Sequence, residues 1–451
     1  MNDIDPVLGV IRAGMVRPDA DALVDAVLRA ARTGELRVGA RLPTIATLAD
    51  ELHLSMSTVS RAWASLVQMG VIETRRRGGS RVARPVEATA YRAPEGEMAR
   101  FRYRLAAGYP DPDLQVDLRD VLRRVADGPA FRGYPGKDEI PAALHDALLA
   151  RVGYQPESIM LDTEVIGALP RILQAVSHRG APVGVSDPEF PLFTVILRQL
   201  GMTATPIPFA DGAYDLDVME SVLAAGTRVL MLQTRVHNPT GLMVSAENVA
   251  DIAGLLRRFG ATAIEIDHHG HLVPERPVRL ASLAPERVIL LSSFAKEIHP
   301  DVRVSAITGP RSVLDRVSVW RAGGEWVSAI NRAVLEACLT DDVVSSTLVP
   351  AARAEYAARR ETFRAAFEAV GLTIESNAGL SLWVPVASEQ EAMVQLAADS
   401  ISVARGSAFG LGTKAAPHVH LSLGLVGSES GFLSERLRRA ALLVPRDSAF
   451  Y

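Results

Sequence analysis

Four apolar runs of strand length dominate the middle of this chain: APVGVSDPEF, TRVLMLQT, ATAIEID and RVILLSSF. Helical stretches such as AENVADIAGLLRRFG separate them. Strands that are apolar on both faces need cover on both faces, and helices between successive strands supply it. The pattern predicts an α/β domain with a mostly parallel sheet covered by helices. In such a sheet ligands bind outside the carboxyl ends of the strands. Each of the four runs ends in a polar or otherwise special group, so chemistry is expected at those ends.

The chain has 451 residues, too many for a single core, so more than one domain is expected. No apolar run reaches the roughly 18 residues that a membrane span needs. The N-terminal stretch MNDIDPVLGVIR has acids where a signal peptide would have bases. The single cysteine, Cys338, excludes an internal disulfide framework and a multi-cysteine zinc site. These features together predict a soluble, cytoplasmic chain with no membrane partner. Charge is uneven: residues 1–85 hold 12 arginines and 9 acids, hence +3, whereas the remainder sums to −7. A basic first segment on an acidic body suggests different partners for the two parts.

In ALVDAVLRAARTG, Leu23, Val24, Val27 and Leu28 share one helical face and Gly34 stops the helix. Pro43 and the cap Thr44 open a second helix, which ends near Leu52. Ser55 or Ser57 caps a third, with Val59, Trp63 and Leu66 as its inner face and Gly70 as its end. Two helices joined by so short a turn form a helix-turn-helix. VIETRRRGGSRVARP then reads as a strand, a Gly-Gly turn and a second strand, which makes a wing. Ser57, Thr58, Ser60 and Arg61 are expected to face the major groove of a double-stranded DNA operator. Arg75, Arg76, Arg77 and Arg81 are expected on phosphates or in the minor groove. The alternative is a small helical domain with a solvated arginine run. The expected division is a winged helix-turn-helix over 1–83, a linker over 84–103 and a second domain over 104–451.

At the strand ends, TRVLMLQT runs into RVHNPTG, ATAIEID ends in Asp267, and RVILLSSF runs on to Lys296. The fourth run ends in Phe190. One turn, or one strand-end acid, has an ordinary structural reading. An Asn, an Asp, a Lys, a Ser, an Arg and an aromatic ring at one site suit pyridoxal phosphate. An amine forms the Schiff base with its aldehyde, and a carboxylate keeps its pyridine nitrogen protonated. Serine and arginine hold its phosphate, arginine by a two-point contact.

The order along the chain carries two resemblances. GELRVGARLPTIATLADELHLSMSTVSRAWASLVQMGVIETRRRGGSRV resembles the winged-helix domain of GntR-type regulators, with Ala46 and Met56 where that family usually places basic DNA contacts. Asn-Pro-Thr-Gly, then Asp267, then Ser-x-x-Lys with Arg303 seven residues on, resembles the fold-type I aminotransferases over about residues 104–440. The resemblance implies that Lys296 is the Schiff-base lysine, Asp267 the pyridine partner and Asn238 a neighbour of the phenolic oxygen. It implies phosphate contacts from Ser293 and Arg303, ring stacking by Phe190, and reach to the neighbouring subunit's phosphate by Tyr134. The two parts in one chain are similar to the MocR subfamily of regulators, which implies a homodimer that binds pyridoxal phosphate.

The chain departs from that pattern in several places. His269 stands where a tyrosine near the phenolic oxygen is usual. TEVIGAL replaces the small-residue phosphate loop with Val165 and Ile166. His420 stands where an arginine would clamp a substrate carboxylate, and neutral histidine cannot make that two-point contact. Either the effector is not an α-amino acid, or another base serves, or the cofactor is itself the signal. The reading is a pyridoxal-phosphate-binding transcription regulator, with a small amine as a further effector. The alternatives are an active aminotransferase and a scaffold that has lost its cofactor.

Overall fold

A computed structural model describes residues 4–68, 71–75, 79–83, 101–128, 139–273, 278–321, 325–412 and 416–444. The chain divides into two compact units, one of residues 1–94 with 179–181 and 192–204, the other of the remainder.

The first unit contains α1 (Ile4–Gly14), α2 (Ala20–Thr33), α3 (Ile45–Glu51), α4 (Met56–Gln68), β1 (Ile72–Arg75) and β2 (Gly79–Val82). Its boundaries follow local chemistry. Asp19 accepts a hydrogen bond from the Ala22 amide at the start of α2, and Gly34 ends that helix in the left-handed region. Thr44 caps α3 through the Thr47 amide, and Ser55 caps α4 through the Thr58 amide at 3.0 Å. Ile11, Leu23, Val27, Leu48, Val59, Leu66 and Ile72 form its core. The wing strands pair antiparallel from Ile72↔Val82 to Arg75↔Gly79. The Trp63 indole donates to Ser80 Oγ at 3.1 Å, which ties α4 to the wing.

The second unit begins earlier than expected. Tyr103, the last residue of the expected linker, already lies in β3 (Tyr103–Arg104) and is buried. β3 pairs in parallel with β13 (Ile401–Ser402). Burying an aromatic ring beside its sheet partner is favourable. Residues 84–100 lie outside the described residues.

The large sheet holds β4 (Ser158–Asp162), β5 (Pro182–Asp187), β6 (Thr203–Ala210), β7 (Ala213–Tyr214), β8 (Val229–Leu232), β9 (Thr262–Asp267), β10 (Val288–Ser293) and β11 (Ser305–Gly309). Their order is β4-β11-β10-β9-β8-β5-β6-β7. The four strands singled out in the sequence are therefore consecutive neighbours: β10, β9, β8 and β5. They pair in parallel, whereas β11 is antiparallel to both β10 and β4, and β7 to β6. The sheet is thus mostly parallel at its centre and mixed toward its edges. A smaller sheet contains β12 (Ser381–Pro385), β14 (Ala404–Arg405) and β15 (His418–Ser422), with β15 in the middle. No helix among the described residues is long and apolar enough to cross a membrane.

Replacing Ser55 with Ala removes the α4 cap and is expected to destabilise the first unit by about 1 kcal/mol. Calorimetric melting of the full chain checks this. An unshifted first transition would show that α4 does not depend on the cap.

Candidate functional site

The parallel strands bring their carboxyl ends to one edge. In the β9–β10 register Asp267 lies opposite Ser292, so Asp267, Ser293 and Lys296 converge from adjoining strands. Lys296 is partly buried as a residue. Burial of its amine lowers the pKa to about 8, against a smaller opposing pull from Glu164. Gly108 leaves room beside it: a Cβ there would lie 4.0 Å from Lys296 Nζ.

Asp267 is buried at the end of β9 and all its acceptor positions are engaged. Oδ2 accepts from Arg235 at 2.7 Å and from Arg279 at 2.8 Å. Oδ1 accepts from the backbone amides of His269 at 3.2 Å and Gly270 at 3.0 Å. Burial alone would raise its pKa, but the two guanidiniums outweigh that and hold it well below the usual carboxylate range. Neither arginine was singled out in the sequence. The signal was present, because a strand-end acid after a buried run needs a cation, and RVHNPTG opens with one.

Three imidazoles surround the lysine. His269 is buried, and neither ring nitrogen has a hydrogen-bond partner among the described residues. Its ring occupies the space left by Gly379, where a Cβ would come within 2.8 Å of it. Burial, reinforced by the Lys296 charge, keeps His269 well below its usual pKa and lowers His268 and His420 to about 3. All three are neutral at physiological pH. His420, on β15 opposite Trp383, contacts Ser381 Oγ through Nε2 at 3.3 Å, and Ser381 reaches Asn238 Oδ1 at 3.5 Å. His420 Nδ1 has no partner among the described residues. His418 points elsewhere: it stacks on Trp383 at 5.0 Å and contacts the Ala416 carbonyl.

The segment expected to face a phosphate is arranged around an acid. TEVIGAL starts the helix Val165–Val176, and Val165 is fully buried in the core. The residue that matters is Glu164. Its carboxylate caps this helix, accepting from the Ile166 amide at 3.1 Å, and faces the Arg303 guanidinium at 3.6 Å. Arg303 has φ 51, a left-handed conformation that costs a side-chain-bearing residue about 1 kcal/mol or more. Ser293 Oγ accepts from the Ala295 amide at 3.2 Å. Phe190 is half-buried beyond β5, and its amide donates to Glu189. Glu189 is another residue the sequence reading passed over. Its carboxyl is buried, which pushes the pKa up to about 8 against hydrogen bonds from Ser186, the Phe190 amide and Gln233. Tyr134 lies outside the described residues.

On the first unit, Ser57, Ser60 and Arg61 are exposed at the start of α4 and Thr58 is half-buried. The hydroxyls of Ser57 and Thr58 both contact Ser55 Oγ, at 2.8 and 2.7 Å. Arg75 closes β1, and Arg81 donates to the Gly39 carbonyl at 2.9 Å. Arg76 and Arg77 lie outside the described residues.

Comparison with known proteins agrees with this architecture. Residues 104–423, well over half of the chain, match the family described as aminotransferase class I and II. Residues 20–82 match the bacterial regulatory proteins of the gntR family. The chain is 27% identical over 396 residues to the vitamin B6 salvage pathway transcriptional repressor PtsJ of Salmonella typhimurium, covering 87% of this chain and 91% of that protein. It is 25% identical over 319 residues to the uncharacterized HTH-type regulator YisV of Bacillus subtilis, covering 63% and 66%. Among solved structures, kynurenine aminotransferase of Pyrococcus horikoshii aligns with a TM-score of 0.69 at 18% identity, covering 79% of this chain and 95% of that one. The α-aminoadipate aminotransferase LysN of Thermus thermophilus aligns at 0.68 and 20%, with the same coverage. These last two likenesses speak for the fold. This chain therefore belongs to the aminotransferase class I and II family, and carries that domain behind a gntR-family DNA-binding domain in the arrangement of the MocR regulators.

Proposed function

We propose that this protein is a DNA-binding transcription regulator whose second domain binds pyridoxal phosphate at Lys296 and works as a homodimer in the cytoplasm. The observation that carries the cofactor reading is an enclosed amine of lowered pKa beside buried nitrogens of His269 and His420 that have no hydrogen-bond partner among the described residues. Unpaired buried polar atoms are costly, so a polar ligand has a place there. When bound, pyridoxal phosphate supplies an aldehyde that condenses with amines and a ring that can delocalise charge.

Each residue has a proposed part. Lys296 supplies the amine: at pH 7.5 a pKa of about 8 leaves roughly a quarter of it neutral, against about one in a thousand for an ordinary lysine. His269, whose two ring nitrogens have no partner among the described residues, and Asn238 orient the phenolic oxygen. Phe190 covers one ring face, and Tyr134 reaches across the dimer. Ser293 and Arg303 take the phosphate, and Glu164 has to release Arg303 for that to happen. Neutral His420 offers no clamp for a carboxylate, which favours a sensor over an aminotransferase acting on amino acids. Exposed Ser57, Ser60 and Arg61, with Thr58 and the arginines 75–77 and 81, contact the operator. A small amine effector, or the cofactor level itself, shifts the balance between two arrangements of the dimer, with a coupling of about 1–3 kcal/mol.

Absorbance between about 320 and 430 nm tests the lysine, because a conjugated imine absorbs at the long-wavelength end. Added pyridoxal phosphate should give a band near 420 nm that Lys296→Ala abolishes. The same band in both proteins would reject Lys296 as the attachment point. Imine formation needs the neutral amine, so apparent affinity should rise with pH and level off above about pH 8. A rise that continues beyond pH 9 would point to an ordinary lysine. Glu164→Gln keeps an oxygen for the helix cap but removes the charge beside the phosphate. It should tighten pyridoxal phosphate binding roughly tenfold more than that of unphosphorylated pyridoxal, which shares only the smaller effect on the Lys296 amine. Equal effects on the two ligands would place the phosphate elsewhere.

A further inference from the structure

We propose that Arg235 keeps the ring nitrogen of the bound cofactor unprotonated, so that this site holds pyridoxal phosphate as a ligand and withholds its electron-sink chemistry. The inference rests on the cofactor reading above, and concerns what the chain's own residues do to the ring.

An ionised carboxylate has about four lone-pair positions. In Asp267 they are taken by two guanidinium N–H groups and two backbone amides, all at 3.2 Å or less. A pyridinium N–H approaching Asp267 would find no acceptor position open. Arg235 is itself buried at 4% exposure, and its Nε has no hydrogen-bond partner among the described residues. A buried unpaired N–H costs about 1–3 kcal/mol. A neutral pyridine nitrogen is an acceptor and would satisfy that donor. A pyridinium would instead set one N–H against another.

Charge does not decide between the two forms, because Glu265 acts on Arg279 as well and two carboxylates face two guanidiniums. The hydrogen-bond positions decide it, and they leave no place for a ring proton. Without that proton the ring withdraws electrons weakly, so loss of a proton from a bound amino acid is slow. Condensation of the aldehyde with an amine does not need the ring proton. The site can thus exchange amines and report them without converting them.

The test is the ¹⁵N NMR shift of ring-labelled pyridoxal phosphate bound to the full chain. The expected signal lies in the downfield range of unprotonated pyridine and stays there from pH 6 to 9. Arg235→Met reopens a lone pair on Asp267 and should move the signal upfield to the pyridinium range. A pyridinium signal in the unmodified protein overturns the inference, and it decides the matter even if the variant does not fold. An Arg235→Met spectrum identical to the parent's overturns the role of Arg235. A label that washes out of the parent on desalting overturns the cofactor reading itself, and this inference with it.

Discussion

Two carboxylates and two guanidiniums are buried together at the ends of β8 and β9, and the site is arranged around them. Removing such charges from water costs several kcal/mol per ion, which only close pairing and complete hydrogen bonding offset. Arg235 and Arg279 meet Asp267, while Glu265 accepts from Thr234 and from two amides at the start of the helix Leu280–Leu283. The partners come from two segments, Thr234 and Arg235 after β8 and Arg279 to Ala281 at the start of that helix. The cluster therefore pins the end of β8, the end of β9 and the following helix into one geometry, beside the strand that delivers Lys296.

Burial then sets the protonation of the neighbours. His268, His269 and His420 cannot charge at physiological pH, because desolvation and the nearby lysine both oppose it. The pocket wall is accordingly a set of neutral donors and acceptors. Its fixed charges lie at the two extremities, with the arginine-held Asp267 at one and the Glu164–Arg303 pair at the other. That polarity differs from the one the sequence suggested. There Asp267 and Arg303 were each expected to await the ligand; both are already engaged within the chain.

Much of this was legible from local patterns. The four strand ends, the caps at Thr44 and Ser55 and the stop at Gly34 follow from signals that lie within a few residues of each other. Asn238, Asp267, Lys296 and His420 could be located because each sits just past, or within, an apolar run. Arg279 is 12 residues from Asp267 and Arg235 is 32 away, so their pairing belongs to the tertiary fold and to no spacing rule. Glu164 escaped for a different reason: TEVIGAL was read for its missing small residues, whereas the consequence lies in the acid beside them. The strand at Tyr103 was not legible because it stands in a stretch without clear period and finds its partner at Ile401, far along the chain.

The β9–β10 register has one more implication. Asp267 and Ser292 are opposite rungs of adjoining parallel strands, about 4.8 Å apart by sheet spacing. The distance from the anion to the lysine segment is thus fixed by the ladder and not by loop length. The connections after either strand could be lengthened or exchanged over generations without disturbing it. Deleting a single residue inside β9 would instead turn Asp267 to the opposite face of the sheet. The architecture leaves the surroundings of the site free to diversify and its centre almost no freedom at all.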